Sequence, residues 1–178
     1  MISAIKAAWT RFRSNFWRAL AFDAVAILAV FLAVHAWQTR DLPIDEPAPE
    51  TRLEWLKKAG IGNAVQEGRA GSVYFFAPWC FYCRHSIGNL DDPVAEGRVS
   101  WGTVIALDYG DAGEVQAFVD ETGLDLPVLM GTRETAADWS IRAFPTYYVI
   151  DAEGRISSRA VGYSTGAGML ARYWLARL

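Results

Sequence analysis

The feature of this chain that most constrains its fold is an apolar run near the N-terminus. Residues 20–37 read LAFDAVAILAVFLAVHAW, and their polar side chains, Asp23 and His35, stand near the two ends. About 18 residues are just enough to cross the hydrocarbon core of a bilayer. A chain of 178 residues offers little that could cover such a helix on all sides, which argues against a buried core helix. We therefore predict a transmembrane helix over residues 20–37.

The charges on either side of the apolar run predict its orientation. Residues 1–19 carry four basic side chains and no acid, whereas residues 38–50 carry Arg40 against four acids. Since basic flanks stay in the cytoplasm, we expect a single-pass protein of the cytoplasmic membrane with its C-terminal part exported. A cleaved signal peptide is the alternative, because Val34-His35-Ala36 offers small residues for cleavage, but the basic segment is long for one.

The exported part is predicted to consist of a linker and one domain. Residues 38–50 (QTRDLPIDEPAPE) place three prolines among acids, which is typical of a semi-extended linker, and the globular pattern covers residues 51–178. Residues 1–37 hold four basic residues and one acid, so the net charge of the remainder is −6, compared with −3 for the whole chain. An acidic domain without a basic stripe is a poor candidate for binding nucleic acid.

Short apolar runs alternate with helical patterns along residues 51–178. We expect a short helix in TRLEWLKKAG ending at Gly60, and a buried strand in SVYFFAP. A helix should run from the cysteine pair to about Leu90, followed by a strand in WGTVIALDYG and a helix in DAGEVQAFVDETG. PVLMG is a short apolar run, TRETAADWSI is helical, TYYVID and RISSRAVGY form a hairpin, and the chain closes with an amphipathic helix. These elements predict an α/β domain with a central mixed sheet flanked by helices.

The two cysteines of the chain, Cys80 and Cys83, directly follow the predicted buried strand. A disulfide that closes so short a loop adds little stability, so a purely structural role is disfavoured. A structural zinc site needs four ligands. Besides His85, which is near the pair, the chain has one other histidine, His35, and it lies in the apolar run. Two-coordinate binding of copper(I) by the pair remains an alternative.

Redox chemistry fits the position of the pair best. A strand followed by CxxC and a helix puts Cys80 at a helix N-terminus, where free amides and the helix dipole stabilise a thiolate and lower its pKa. Cys83 stands one turn further on, in place to resolve a mixed disulfide. The sequence therefore predicts a redox-active disulfide as the reacting group, with no metal and no other cofactor.

Two segments resemble landmarks of the thioredoxin superfamily. FFAPWCFYCRHS is similar to the active-site segment of that family, in which an aromatic-rich strand ends in Ala-x-Trp-Cys-x-x-Cys. AFPTYYVIDAEGRI, residues 143–156, is similar to the second landmark, a proline followed by Thr, a strand and an Asp-x-x-Gly turn. Together with the apolar run and linker, the chain resembles most the membrane-anchored, TlpA-like periplasmic thiol–disulfide oxidoreductases. The resemblance implies a thioredoxin-like fold and a periplasmic catalytic domain.

The resemblance also assigns roles to individual residues. It implies that Cys80 attacks and Cys83 resolves, that Pro145 follows a cis peptide bond beside the pair, and that Phe144 offers backbone groups to an extended substrate. Trp79 would flank the nucleophile and contact substrate.

The chain departs from the family at two positions that elsewhere carry acids. Tyr74 stands where thioredoxins have a buried acid, and Ser86 where some tethered reductases have Glu. Tyr74 and His85 are the candidates left for a proton acceptor. The Phe81-Tyr82 pair between the cysteines matches neither typical reductases nor strong oxidants, so the direction of electron flow stays open.

The function implied by the resemblance is reduction or exchange of disulfides in selected exported proteins. A reductase would draw electrons from a transmembrane thiol-reductant transporter of the DsbD/CcdA type, because the chain shows no flavin or nicotinamide motif. A dithiol oxidase or isomerase is the alternative within this class, and a copper(I)-binding module is the alternative outside it.

Overall fold

The structure is a computed structural model that describes residues 16–177. Within these residues the chain forms two compact units, and the boundary between them in the sequence falls between Arg40 and Asp41. The basic side chains Lys6, Arg11 and Arg13, on which most of the predicted orientation depends, lie outside the described residues.

The first unit is the helix α1, Phe16–Thr39. It contains an 18-residue stretch of mean hydropathy 2.2, none of which is buried. Within residues 16–177 it is the one helix long and apolar enough to cross a membrane. The helix extends beyond the predicted residues 20–37 at both ends, and Trp17 and Trp37 stand exposed near its termini.

The second unit is a seven-stranded sheet with helices. Its strands are β1 (Arg52–Trp55), β2 (Ile61–Asn63), β3 (Gly71–Phe76), β4 (Gly102–Ala106), β5 (Val128–Met130), β6 (Thr146–Ile150) and β7 (Ile156–Val161). Its helices are α2 (Phe81–Ser86), α3 (Gly88–Ala95), α4 (Ala112–Thr122), α5 (Arg133–Asp138) and α6 (Gly166–Leu175). The strand order is β2-β1-β5-β4-β3-β6-β7. Strands β3, β4 and β5 are parallel, and the remaining neighbours pair antiparallel. The mixed sheet confirms the predicted α/β class and thioredoxin-like fold.

Strand β3 lies at the centre of the domain and is buried on both faces. Tyr74 and Phe76 point into one hydrophobic cluster, and Val73 and Phe75 point into a second cluster on the other face of the sheet. A strand covered on both sides needs apolar residues at every position, which explains why SVYFFAP has no alternating pattern. This strand delivers the cysteine pair to one edge of the sheet.

Local signals predicted the middle of the domain correctly. Helix α4 begins after Asp111, whose carboxylate accepts a hydrogen bond from the Glu114 amide, and ends at Gly123 with φ of 65°. Asp is a favoured N-cap, and Gly adopts the left-handed conformation at a helix end without steric cost. The predicted hairpin is confirmed by the antiparallel pairing of β6 with β7.

The helix predicted in TRLEWLKKAG is wrong. Residues 52–55 form β1 instead, which pairs with β5 through Glu54–Met130 and Trp55–Leu129 and also with β2, a strand that the sequence patterns did not predict. The alternation of the segment is compatible with this pairing, because Leu53 and Trp55 are two residues apart and pack into the second cluster together. The helix expected to end near Leu90 is also interrupted between Ser86 and Gly88, and then continues to Ala95.

Part of the predicted linker, residues 38–50, is bound to the domain. Leu42 is buried in the second cluster. The Asp45 amide donates to the Ile156 carbonyl, and the Ile156 amide donates to the Glu46 carbonyl, each at 2.8 Å. These backbone bonds extend the pairing of β7, so the compact unit begins at Asp41 rather than at Thr51.

Candidate active site

A disulfide joins Cys80 and Cys83 at the point where β3 gives way to α2. The Cys80 amide donates to the Ala77 carbonyl at 3.0 Å, which turns the chain directly after the strand. Cys80 is the N-cap of α2, and the Cα atoms of the two cysteines are 5.3 Å apart. The placement of both cysteines at the start of a helix behind a buried strand is as the sequence predicts.

The two sulfur atoms differ in environment. Cys80 is 4% exposed, whereas Cys83 is fully buried in the first cluster. The Cys83 amide donates a hydrogen bond to Cys80 Sγ at 3.1 Å. An amide donor at a helix start stabilises negative charge on the sulfur that accepts it. The geometry therefore favours Cys80 as the sulfur that a substrate meets first.

The loop before β6 lies next to the cysteine segment. The peptide bond between Phe144 and Pro145 is cis, as the resemblance implies. The ring of Phe144 meets the Trp79 ring edge-on, with centroids 5.8 Å apart. Pro145 is buried, and its carbonyl accepts a hydrogen bond from Gly162. The ring contact places Phe144 against Trp79, the residue before Cys80, and Phe144 also packs against the first cluster, which contains both cysteines.

Trp79 is held in place from the other side by Asp108. The indole N–H donates to the backbone carbonyl and to a carboxylate oxygen of Asp108, each at 3.1 Å. Asp108 follows β4 and has φ of 50°, which is uncommon for a residue other than Gly. Asp108 is not among the residues predicted from the sequence, although an Asp two residues after a buried strand, at the carboxyl edge of the parallel sheet, is a usable signal.

Three exposed aromatic side chains surround Cys80. Trp79, Phe81 and Tyr82, which we call the aromatic rim, are 64%, 66% and 61% exposed. Exposed aromatic side chains clustered at one place on a surface mark an interaction site, because they offer large apolar areas at low entropic cost. The rim is therefore the candidate binding surface at this end of the sheet.

A cleft of about 510 Å³ adjoins the Trp79–Phe144 contact. Its lining includes Asp108 and Phe144 and two exposed arginines, Arg133 and Arg142. Sequence patterns did not indicate these arginines, which both lie between β5 and β6, Arg133 at the start of α5 and Arg142 in the loop before β6.

Tyr74 and Ser86 are hydrogen-bonded to each other under the cysteine helix. The Tyr74 hydroxyl lies 2.7 Å from Ser86 Oγ, and Ser86 Oγ donates to the Tyr82 carbonyl at 2.8 Å. Burial raises the pKa of Tyr74 well above its ordinary value of 10.0. Tyr74 is therefore a neutral phenol at physiological pH and a poor proton acceptor.

His85, the other predicted proton acceptor, is on the outer side of α2. The imidazole is exposed, its Nδ1 lies 2.9 Å from the Phe81 carbonyl, and its ring packs against Phe81 at 4.3 Å. An Nδ1 facing a carbonyl carries the proton and donates it. His85 thus supports the aromatic rim, while Cys83 lies on the buried face of the same helix.

Comparison with known proteins gives a consistent result. Residues 44–159 match the AhpC/TSA family. The thioredoxin-like protein YneN of Bacillus subtilis is 28% identical over 126 residues, which cover 67% of this chain and 72% of that protein. The thiol:disulfide interchange protein DsbE of Allochromatium vinosum is 29% identical over 154 residues, 78% of this chain and 83% of that protein.

The fold has a close counterpart among solved structures. A crystal structure of a putative thiol:disulfide interchange protein DsbE from Chlorobium tepidum superposes with a TM-score of 0.68 and covers 76% of this chain and 99% of that one. At 20% identity this likeness shows the fold alone. The matched family covers most of the domain and includes the cysteine pair. This chain is therefore an oxidoreductase of thioredoxin-like fold and belongs to the AhpC/TSA family.

Proposed function

We propose that this protein reduces or exchanges disulfides of selected exported proteins through Cys80 and Cys83. The observation that carries the proposal is the asymmetry of the pair. Cys80 is slightly exposed, accepts an amide hydrogen bond and is surrounded by the aromatic rim, whereas Cys83 is enclosed. One sulfur can therefore meet a substrate while the other is kept for the second step.

The chemistry in the reducing direction has two displacements. The Cys80 thiolate attacks one sulfur of the substrate disulfide, forms a mixed disulfide and expels the first substrate thiolate. The Cys83 thiolate then attacks Cys80 Sγ, forms the Cys80–Cys83 disulfide and expels the second substrate thiolate. The enzyme dithiol is oxidised, the substrate disulfide is reduced, and the two thiol protons of the enzyme balance those of the two product thiols.

The surface around Cys80 suits an extended segment of a protein substrate. Trp79, Phe81 and Tyr82 present apolar rings, and the ring of Phe144, in the loop before β6, packs edge-on against Trp79. Backbone groups on such a loop bind an extended chain by adding it to the sheet edge, and the rings bind its side chains. The cleft with Arg133 and Arg142 extends this surface away from the disulfide.

The helix α1 supports a membrane-anchored location. Its 24 residues suffice to span a bilayer, and the basic N-terminal segment favours a cytoplasmic N-terminus with the domain in the periplasm. As a reductase the protein would receive electrons from a transmembrane thiol-reductant transporter of the DsbD/CcdA type. Retention of the anchor is tested by measuring the mass of the protein isolated from membranes. An uncleaved chain keeps its full mass, whereas removal of the anchor lowers it.

Two measurements test the redox activity. The protein should accelerate the reduction of insulin by dithiothreitol, and Cys80→Ser should abolish the acceleration. A copper(I) carrier would instead bind the metal stoichiometrically and leave insulin unaffected. Equilibration with glutathione buffers then gives the reduction potential, where a value near roughly −270 mV indicates a reductant and a value near roughly −120 mV indicates an oxidase.

A further inference from the structure

The second displacement in the proposed function begins at an enclosed thiol. Cys83 is fully buried, in the same cluster as Phe76 and Ile87. A thiol in apolar surroundings ionises reluctantly, and only the thiolate attacks a disulfide. The rate of this step therefore depends on which group can take the proton from Cys83.

The hydrogen bonds beneath the helix run in one direction. Ser86 Oγ has a single proton and donates it to the Tyr82 carbonyl. The 2.7 Å contact between Tyr74 and Ser86 must then be a donation from the Tyr74 hydroxyl. Ser86 is three residues beyond Cys83, on the same buried face of α2. The hydroxyl protons of Tyr74 and Ser86 are therefore both used in hydrogen bonds, and burial keeps the Tyr74 phenol neutral by raising its pKa.

No buried carboxylate or imidazole is present in the part of the chain that the structure describes. Apart from Tyr, Trp and Cys, the buried polar side chains there are the hydroxyls of Ser and Thr. His85 is exposed and faces the Phe81 carbonyl. Hydroxyl groups of Ser, Thr and neutral Tyr are far too weakly basic to take a proton from a thiol near neutral pH.

We propose that Cys83 resolves the mixed disulfide without help from an internal base, because the polar groups on its own buried face of α2 are the hydroxyl of Ser86 and that of its partner Tyr74, and both are neutral and already donate their protons. This inference rests on the proposed function and identifies the second displacement, the attack by Cys83, as its slow step. The covalent intermediate at Cys80 is then long-lived. A partner that cannot hold on to the aromatic rim can reverse the first displacement before release, so slow resolution makes the enzyme selective.

Stopped-flow reaction of the reduced full-length protein, in detergent, with dithiobis(nitrobenzoate) separates the two steps. Attack by Cys80 releases one coloured thiolate at a rate that rises with reagent concentration. Attack by Cys83 releases the second at a rate independent of reagent. We expect the second phase to be slower than ring closure of the corresponding mixed disulfide of dithiothreitol, whose resolving thiol is open to water.

Two pairs of matched variants test the role of the missing base. Ser86→Glu is compared with Ser86→Gln, and Tyr74→Asp with Tyr74→Asn, so that each pair differs in charge but little in shape. Since a placed base typically contributes about 10²–10⁴ in rate, the acid of either pair should accelerate the second phase at least about tenfold over its amide. The first phase should change far less.

Equal second-phase rates within both pairs would overturn the inference. If the variants do not fold, as judged by circular dichroism, the wild-type protein decides: a second phase as fast as that of dithiothreitol overturns the inference. Failure of the proposed function looks different. The protein would then not accelerate the reduction of insulin by dithiothreitol, and Cys80→Ser would keep a reagent-dependent first phase as fast as that of the wild type.

Discussion

The indole nitrogen of Trp79 lies 3.1 Å from both the carbonyl and the carboxylate of Asp108, across 29 residues of sequence. This double contact joins the loop after β3 to the loop after β4, and Phe144 completes the arrangement from the loop before β6. The side chain that flanks Cys80 is thus oriented by two other loops. Exposure alone would leave such an indole free to rotate.

The backbone of Asp108 predicts how this position responds to substitution. Its φ of 50° lies in the left-handed region, which costs a residue with Cβ about 1–2 kcal/mol, less for Asp and nothing for Gly. We expect Asp108→Ala to unfold in urea with a free energy about 1 kcal/mol below that of Asp108→Gly. Equal stabilities of the two variants would contradict the assigned conformation.

A variant without the resolving cysteine should accumulate substrates. Cys83→Ser leaves the accessible sulfur of Cys80 in place and removes the second displacement, so mixed disulfides with exported proteins should appear on non-reducing gels. The double variant Cys80→Ser, Cys83→Ser is the control and should capture none. Capture by the control, or an absence of adducts from oxidised cells expressing Cys83→Ser, would argue against the proposed roles.

Buried phenols predict a loss of stability at alkaline pH. Burial raises the pKa of Tyr74 and of Tyr148 above the ordinary 10.0, so each favours folding below about pH 10 and loses this contribution as pH rises further. The free energy of unfolding should therefore begin to fall near about pH 10 and continue to fall as the pH rises further. Tyr74→Phe should fall less steeply than the wild type. An equally steep fall in both proteins would mean that Tyr74 does not contribute to the pH dependence of stability.

A buried tryptophan depends on a hydroxyl far away in sequence. The indole N–H of Trp139 donates to Thr51 Oγ1 at 2.8 Å, and both residues are buried. Thr51→Val keeps the shape and removes the acceptor, which should cost about 1–3 kcal/mol because the N–H stays buried without a partner. Thr51→Ser keeps the acceptor and serves as the control. Thermal unfolding distinguishes the two variants.

The segment before β1 should contribute to stability as part of the domain. Leu42 is buried, whereas Ile44 is 40% exposed. Leu42→Ala should therefore destabilise the domain by about 2 kcal/mol or more, and Ile44→Ala by much less. If both variants unfold like the wild type, residues 41–48 act as a free linker after all.

The sequence by itself determined those features whose signals lie within one element. An unbroken apolar run specifies α1, Asp111 and Gly123 mark the ends of α4, and the Asp-x-x-Gly turn separates β6 from β7. The strand–CxxC–helix order likewise placed both cysteines correctly. In each case hydrogen bonds or burial between residues close in sequence decide the outcome.

Only the tertiary structure decided the features that depend on distant partners. Residues 52–55 become a strand because β5 pairs with them across about 75 residues of chain, which outweighs a local pattern that also suits a helix. Tyr74 and Ser86 were noted singly, but their hydrogen bond exists because β3 packs under α2. Asp108 and Leu42 acquire their roles in the same way, from contacts that no local spacing encodes.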